Sequence, residues 1–165
     1  MVEKLNKELN RVFKNLSISK INYTIDFWHL EFKRHYEDDK YKIEKIDNIW
    51  IHAHEIEVNN ENEWIELLKN GPFDLTKNID YKESIKALVL FNLAREPIQE
   101  IEINKDSDLI LKYSENQYLK ICGKVDIVDW IWWIDFENEK QFILNEYGKI
   151  IVENKKLNNL IKIEK

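Results

Sequence analysis

"IWIHAHEIEV" (residues 49–58) is the stretch on which the fold turns. Two histidines sit two apart in an apolar run. On a strand, alternate residues share a face. Trp50, His52, His54, Ile56 and Val58 then point one way, and Ile49, Ile51, Ala53, Glu55 and Glu57 the other. A His-x-His pair on one strand can ligate a metal, but Zn²⁺ takes three or four ligands. The neighbours on the histidine face are Trp, Ile and Val, and Glu55 points away. The expectation is therefore a packed strand, with His52 and His54 as walls of a core and no metal. The alternative is a small metal-dependent enzyme using His52 and His54.

The flanks extend the strand reading. "ISKINYTIDFWHLEF" (residues 18–32) alternates and is rich in β-branched and aromatic residues. After Pro97, "IQEIEIN", "DLILKY", "NQYLKICG" and "DWIWWIDF" repeat the pattern with polar breaks. "QFILNEYGKIIVEN" reads as a hairpin turning near Tyr147-Gly148. Two helices interrupt the strands. Leu5, Leu9, Val12, Phe13 and Leu16 form one stripe over residues 3–16. Asp80 and Glu83 have capping-box spacing before "SIKALVLFNLARE", which predicts a helix over 81–94 buried on more than one side, with a strand as the rival because Val89, Leu90 and Phe91 are contiguous. A shorter helix fits "ENEWIELLKN", stopped by Gly71-Pro72.

The two halves align with a one-residue gap. Trp50 falls on Trp130, His52 on Trp132, His54 on Ile134 and Ile56 on Phe136. The sequence thus predicts one α+β domain over residues 1–165, with an internal duplication of about 1–79 and 80–165. Antiparallel β-meanders from the two similar halves pack under helices near 3–16 and 81–94. The expected core includes Leu9, Phe13, Ile21, Trp28, Leu30, Phe32, Trp50, Leu88, Ile101, Leu111, Leu119, Trp130, Trp132 and Ile134.

Composition narrows the chemistry. Three Gly and two Pro nearly exclude glycine-rich phosphate loops, and no nucleotide-binding glycine motif occurs. Cys122 is the one cysteine, so no internal disulfide forms, and "KICGKV" offers it no adjacent base. No serine lies in a G-x-S-x-G context. Asp38-Asp39 and Asp106/Asp108 sit where turns are expected, where Asp serves the backbone. The expectation is a protein that is not an enzyme and uses no cofactor.

Net charge is −6, unevenly spread. Residues 1–22 carry +3 and residues 140–165 carry +3, around an acidic centre. That centre disfavours nucleic acid, which needs clustered Lys and Arg, and is compatible with a basic partner. No apolar run approaches the roughly 18 residues of a membrane span, and the first residues lack the apolar region of a signal peptide. The expected location is the cytoplasm.

"PIQEIEINKDSDLILKYSENQYLKICG", "DWIWWIDFEN" and "FILNEYGKIIV", within residues 97–152, carry a resemblance. The spacing of Leu109, Leu111, Tyr113, Leu119 and Ile121, followed by a Trp-bearing strand and a final hairpin, is similar to small bacterial immunity proteins of polymorphic toxin systems. The resemblance implies a non-catalytic inhibitor that neutralises a cognate bacterial toxin by stoichiometric binding. A phage-encoded inhibitor of a host defence protein is the alternative. The expected partner-binding residues are Trp133, ringed by Asp129, Asp135 and Glu137, with Glu55 and Glu57 on the equivalent face of the first half. A Trp flanked by carboxylates on an outward face suits a basic protein partner.

Overall fold

Helix α1 spans Val2–Phe13 and buries Leu5, Leu9 and Phe13, the stripe expected from its spacing. It stops three residues earlier than the stripe suggests. Asn15 takes a left-handed conformation (φ 69°), which breaks the helix, and Leu16 becomes the first residue of a strand instead. The computed structural model describes residues 2–24, 26–34, 48–71, 81–126, 130–136, 141–146 and 148–153. The expected strand start at "YKIEK", the polar turn at "HYEDDKY", the Asp80 cap, Tyr147 and the final "KKLNNLIKIEK" lie outside the described residues.

The described strands are β1 (Leu16–Thr24), β2 (Phe27–Arg34), β3 (Ile49–Ala53), β4 (Ile56–Val58), β5 (Glu100–Ile103), β6 (Leu109–Ser114), β7 (Gln117–Ile121), β8 (Trp130–Phe136), β9 (Gln141–Glu146) and β10 (Lys149–Glu153). The remaining helices are α2 (Glu61–Lys69) and α3 (Tyr81–Leu93). The strands form two antiparallel sheets, ordered β1-β2-β3-β8-β9-β10 and β4-β7-β6-β5. The fold is α+β. Strands from the two halves share both sheets, since β3 pairs with β8 and β4 with β7. The β9–β10 hairpin forms as expected, with Gly148 at φ 78° supplying the left-handed turn.

Inward rows run across the larger sheet. Leu30, Ile51, Ile134 and Ile143 are register partners and are buried. Trp28, Ala53, Trp132 and Asn145 form the neighbouring row, also buried. Their apolar members join Ile56, Val58, Ile101, Ile103, Leu109, Leu111, Leu119 and Ile121 of the smaller sheet in one cluster, closed by α1 and α3. Directed bonds tie the two sheets together. The Trp132 indole N–H donates to the Ser107 carbonyl (2.9 Å), and the Asn145 amide donates to the carbonyls of Ser107 (3.2 Å) and Gly123 (2.8 Å).

Residues 49–58 depart from the single packed strand that was expected. Ile49, Ile51 and Ala53 are the buried face of β3, while Trp50, His52 and His54 are only half-buried. The run is not one strand. The chain bends at His54 and Glu55, leaves the larger sheet, and enters the smaller one as β4 with Ile56 and Val58 buried. The bend inverts the alternation, so no single period spans the run. Three other expected core positions differ. Trp130 is 58% exposed, because an irregularity in the β8–β9 register at Ile131 turns both Ile131 and Trp132 inward. Leu88 is 44% exposed on α3. Ile21 is half-buried near the tip of the β1–β2 hairpin.

Candidate functional site

The outward face of the larger sheet carries two rows of side chains set by strand register. One row is Asn22, His29, His52 and Trp133, from β1, β2, β3 and β8. The other is Lys20, Glu31, Trp50 and Asp135 from the same strands. Residues directly opposite on neighbouring strands share a face and touch. Distant segments therefore converge on one surface.

The imidazole rings form a chain of hydrogen bonds. Thr24 Oγ1 lies 2.9 Å from His29 Nε2, and His29 Nδ1 lies 2.6 Å from His52 Nδ1. Two ring nitrogens that close can share one proton and not two. The pair is uncharged at neutral pH. Burial, with the neighbouring His29 adding to it, pushes His52 down to about 4. Burial also lowers His29. His54 stands apart from the pair. Its Nδ1 is 2.9 Å from the Asp26 carbonyl, so that nitrogen carries the proton, and its ring packs on Phe27 at 3.6 Å between centroids.

Aromatic rings surround the histidines. His52 stacks on Trp133, with centroids 4.6 Å apart and planes 18° from parallel. Phe27 meets Trp133 edge-on at 5.4 Å. Trp50 stacks near His52 at 6.2 Å, and Lys20 Nζ lies 5.6 Å from the Trp50 ring. Glu31 is buried, held by the Ser19 hydroxyl (2.8 Å) and Lys33 (3.2 Å). The face is thus a half-open aromatic platform with neutral imidazoles at its centre and charged groups at one side.

The expected binding residues do not all gather there. Trp133 and Asp135 do, on adjoining rows. Glu57 lies on the smaller sheet, where Lys120 pairs with it at 3.1 Å. Glu55 is exposed at the crossover between β3 and β4. Asp129 and Glu137 lie outside the described residues. Phe27, His29 and Trp50 belong to the platform and were not among the expected site residues. Nothing local in the sequence marks them, because the β2–β3 and β3–β8 registers bring them together.

Cys122 is buried, and burial together with the carboxylates of Glu57 and Glu55 pushes its thiol up to about 12. A thiol held protonated is a poor nucleophile. Among the described residues, no three His, Cys, Asp or Glu side chains stand together in a way that could hold a metal. No described helix is long and apolar enough to cross a membrane. No family model, no curated protein and no solved structure matches the chain.

Proposed function

We propose that this chain is a non-catalytic inhibitor that binds a basic partner protein through the outward face of its larger sheet, in the manner of a toxin-neutralising immunity protein. The observation that carries the reading is Trp133. Its ring is braced on one face by His52 and edge-on by Phe27, and Asp135 lies in the adjoining row. A braced, half-open indole loses little conformational freedom when a partner covers it, which is the property of a binding anchor. The exposed Trp130 lies two positions along the same chain from the inward Trp132 and enlarges the apolar area at that end of β8. The net charge of −6 favours encounter with a basic surface. Such a protein would act in the cytoplasm.

The test is co-expression with a basic toxin domain encoded next to this chain, followed by purification. The expected result is protection of growth and a complex of defined stoichiometry that Trp133→Ala weakens. A native chain that neither protects nor forms a complex overturns the reading.

A further inference from the structure

Helix α2 fully buries none of its residues. An amphipathic helix ordinarily closes its apolar stripe onto the core. Here Asn60 at its start, with Glu63, Trp64 and Leu67 at i+3, i+4 and i+7, lines a cavity of about 380 Å³. The facing wall is α3, which supplies Val89, Asn92 and Leu93 at i, i+3 and i+4. The start of β7 adds Gln117. The volume lies at the small end of the roughly 300–1,000 Å³ range of small-ligand sites.

The lining divides into an apolar part and an uncommitted polar part. Trp64 is half-buried and packs against the core, while Val89 and Leu93 are buried. Asn60 makes no side-chain bond to the end of α2. The carboxamides of Asn60, Asn92 and Gln117 and the Trp64 indole N–H find no hydrogen-bond partner among the described residues. Asn59 is the exception. It donates to the Asn116 carbonyl and accepts from the Tyr118 N–H (3.2 Å), which fixes the start of β7 and with it Gln117.

Charge and hydrogen-bonding type narrow the occupant. The described lining holds no Lys or Arg, and Glu63 is its one charged group. A phosphate or carboxylate would meet no cation there and one like charge. A carboxamide both donates and accepts, as a hydroxyl does, and the Glu63 carboxylate accepts from hydroxyl donors. A nucleobase carries its polar atoms along edges in one plane, whereas these groups come from α2, α3 and β7 around the cavity. A sugar ring carries hydroxyls around its rim and offers a face of C–H groups to an indole.

We propose that the cavity between α2, α3 and β7 binds a neutral monosaccharide, with Trp64 against the C–H face of the ring and Asn60, Glu63, Asn92 and Gln117 on its hydroxyls. The site shares no residue with the Trp133 platform, so the inference does not depend on the partner-binding reading.

The experiment is residue-resolved NMR on the full chain. The side-chain amide signals of Asn60, Asn92 and Gln117 and the Trp64 indole signal are followed during titration with D-glucose, D-galactose, D-mannose and N-acetyl-D-glucosamine, each alone. At least one should shift these signals saturably, with a dissociation constant on the order of millimolar for a ligand of about 12–15 non-hydrogen atoms. Asn92→Ala and Gln117→Ala should each weaken that binding about tenfold for a lost hydrogen bond. A native-like Ile51 amide signal shows that a variant is folded, and if either variant fails to fold the other decides. Glucose 6-phosphate and adenosine should both bind more weakly than the best sugar. No saturable shift with any of the sugars up to about 50 mM, well above the expected dissociation constant, overturns the site. So does sugar binding that the folded variants leave unchanged, or tighter binding of glucose 6-phosphate or adenosine.

Discussion

His52 lies flat against Trp133, with 4.6 Å between ring centroids and 18° between planes, while its Nδ1 meets His29 Nδ1 at 2.6 Å. One imidazole is thus committed on its face to an indole and on its edge to a second imidazole. The imidazole pair has room for one proton between its nitrogens and burial disfavours charge on His52, and that has a measurable consequence.

Stability should fall with acid through His52. Its unfolded value is 6.5 and burial lowers it in the fold to about 4. Below 6.5 the unfolded chain takes up the proton first, so acid favours unfolding. The contribution is fully present above about pH 6.5 and is lost as pH falls toward 4. The ring is partly open to solvent, so the effect is discounted to about 1–2 kcal/mol. Lys20, Glu31, Lys33, Asp135 and His54 share the face or its rim and add their own fields. The measurement is therefore a difference: denaturant unfolding of native protein and His52→Leu at pH 7 and pH 4.5. The native protein should lose more stability than the variant over that interval. Equal losses would remove His52 as the cause.

Gly123→Ala should destabilise the fold severely. A Cβ there would collide with the backbone of Ser107 and Asp106, and would come within 2.5 Å of Asp108 N. None of these atoms is the end of a flexible side chain. The same residue donates its N–H to Asp108 Oδ1 (2.6 Å) and accepts from Asn145 (2.8 Å), so a shift also breaks the joint between the sheets. A loss of about 3 kcal/mol or more is expected from thermal or denaturant melts. A loss below 1 kcal/mol, on the order of a surface substitution, would contradict the close approach.

Ile134→Ala tests the inward row. Ile134 is fully buried between its register partners Ile51 and Ile143. Its truncation leaves a cavity in the centre of the larger sheet, at a cost of about 2–5 kcal/mol. Asp135→Asn, its outward neighbour, should cost less stability than Ile134→Ala and slow association with a basic partner. A reversed pattern would place the core on the wrong side of β8.

Much of this architecture is readable along the chain. The α1 stripe, the Gly148 hairpin and the alternating rows of β5 and β6 are local signals, and the structure realises each of them. What fails is parity across a bend. His54 and Glu55 carry no turn signature, yet the chain changes sheets there, and Trp50 and His52 move from the expected core to the outward face. The same holds at Ile131, where one extra residue leaves Trp130 exposed. Register between distant strands is the other hidden quantity. His29 and His52 are 23 residues apart, and no spacing rule brings their rings together. Trp133 was legible as an outward aromatic, whereas the brace on its face was not.

The central claim is that the Trp133 platform binds a protein partner, and affinity measured beside stability tests it most directly. On Trp133→Ala, the unfolding midpoint and the dissociation constant for a co-purifying basic toxin domain are measured on the same preparation. The platform predicts a binding loss of roughly 2–4 kcal/mol, the range of a central aromatic anchor, with only a small drop in midpoint because the indole is half-buried. A large drop in midpoint with unchanged affinity per folded molecule would contradict it, and would make Trp133 a packing residue on a face that binds nothing.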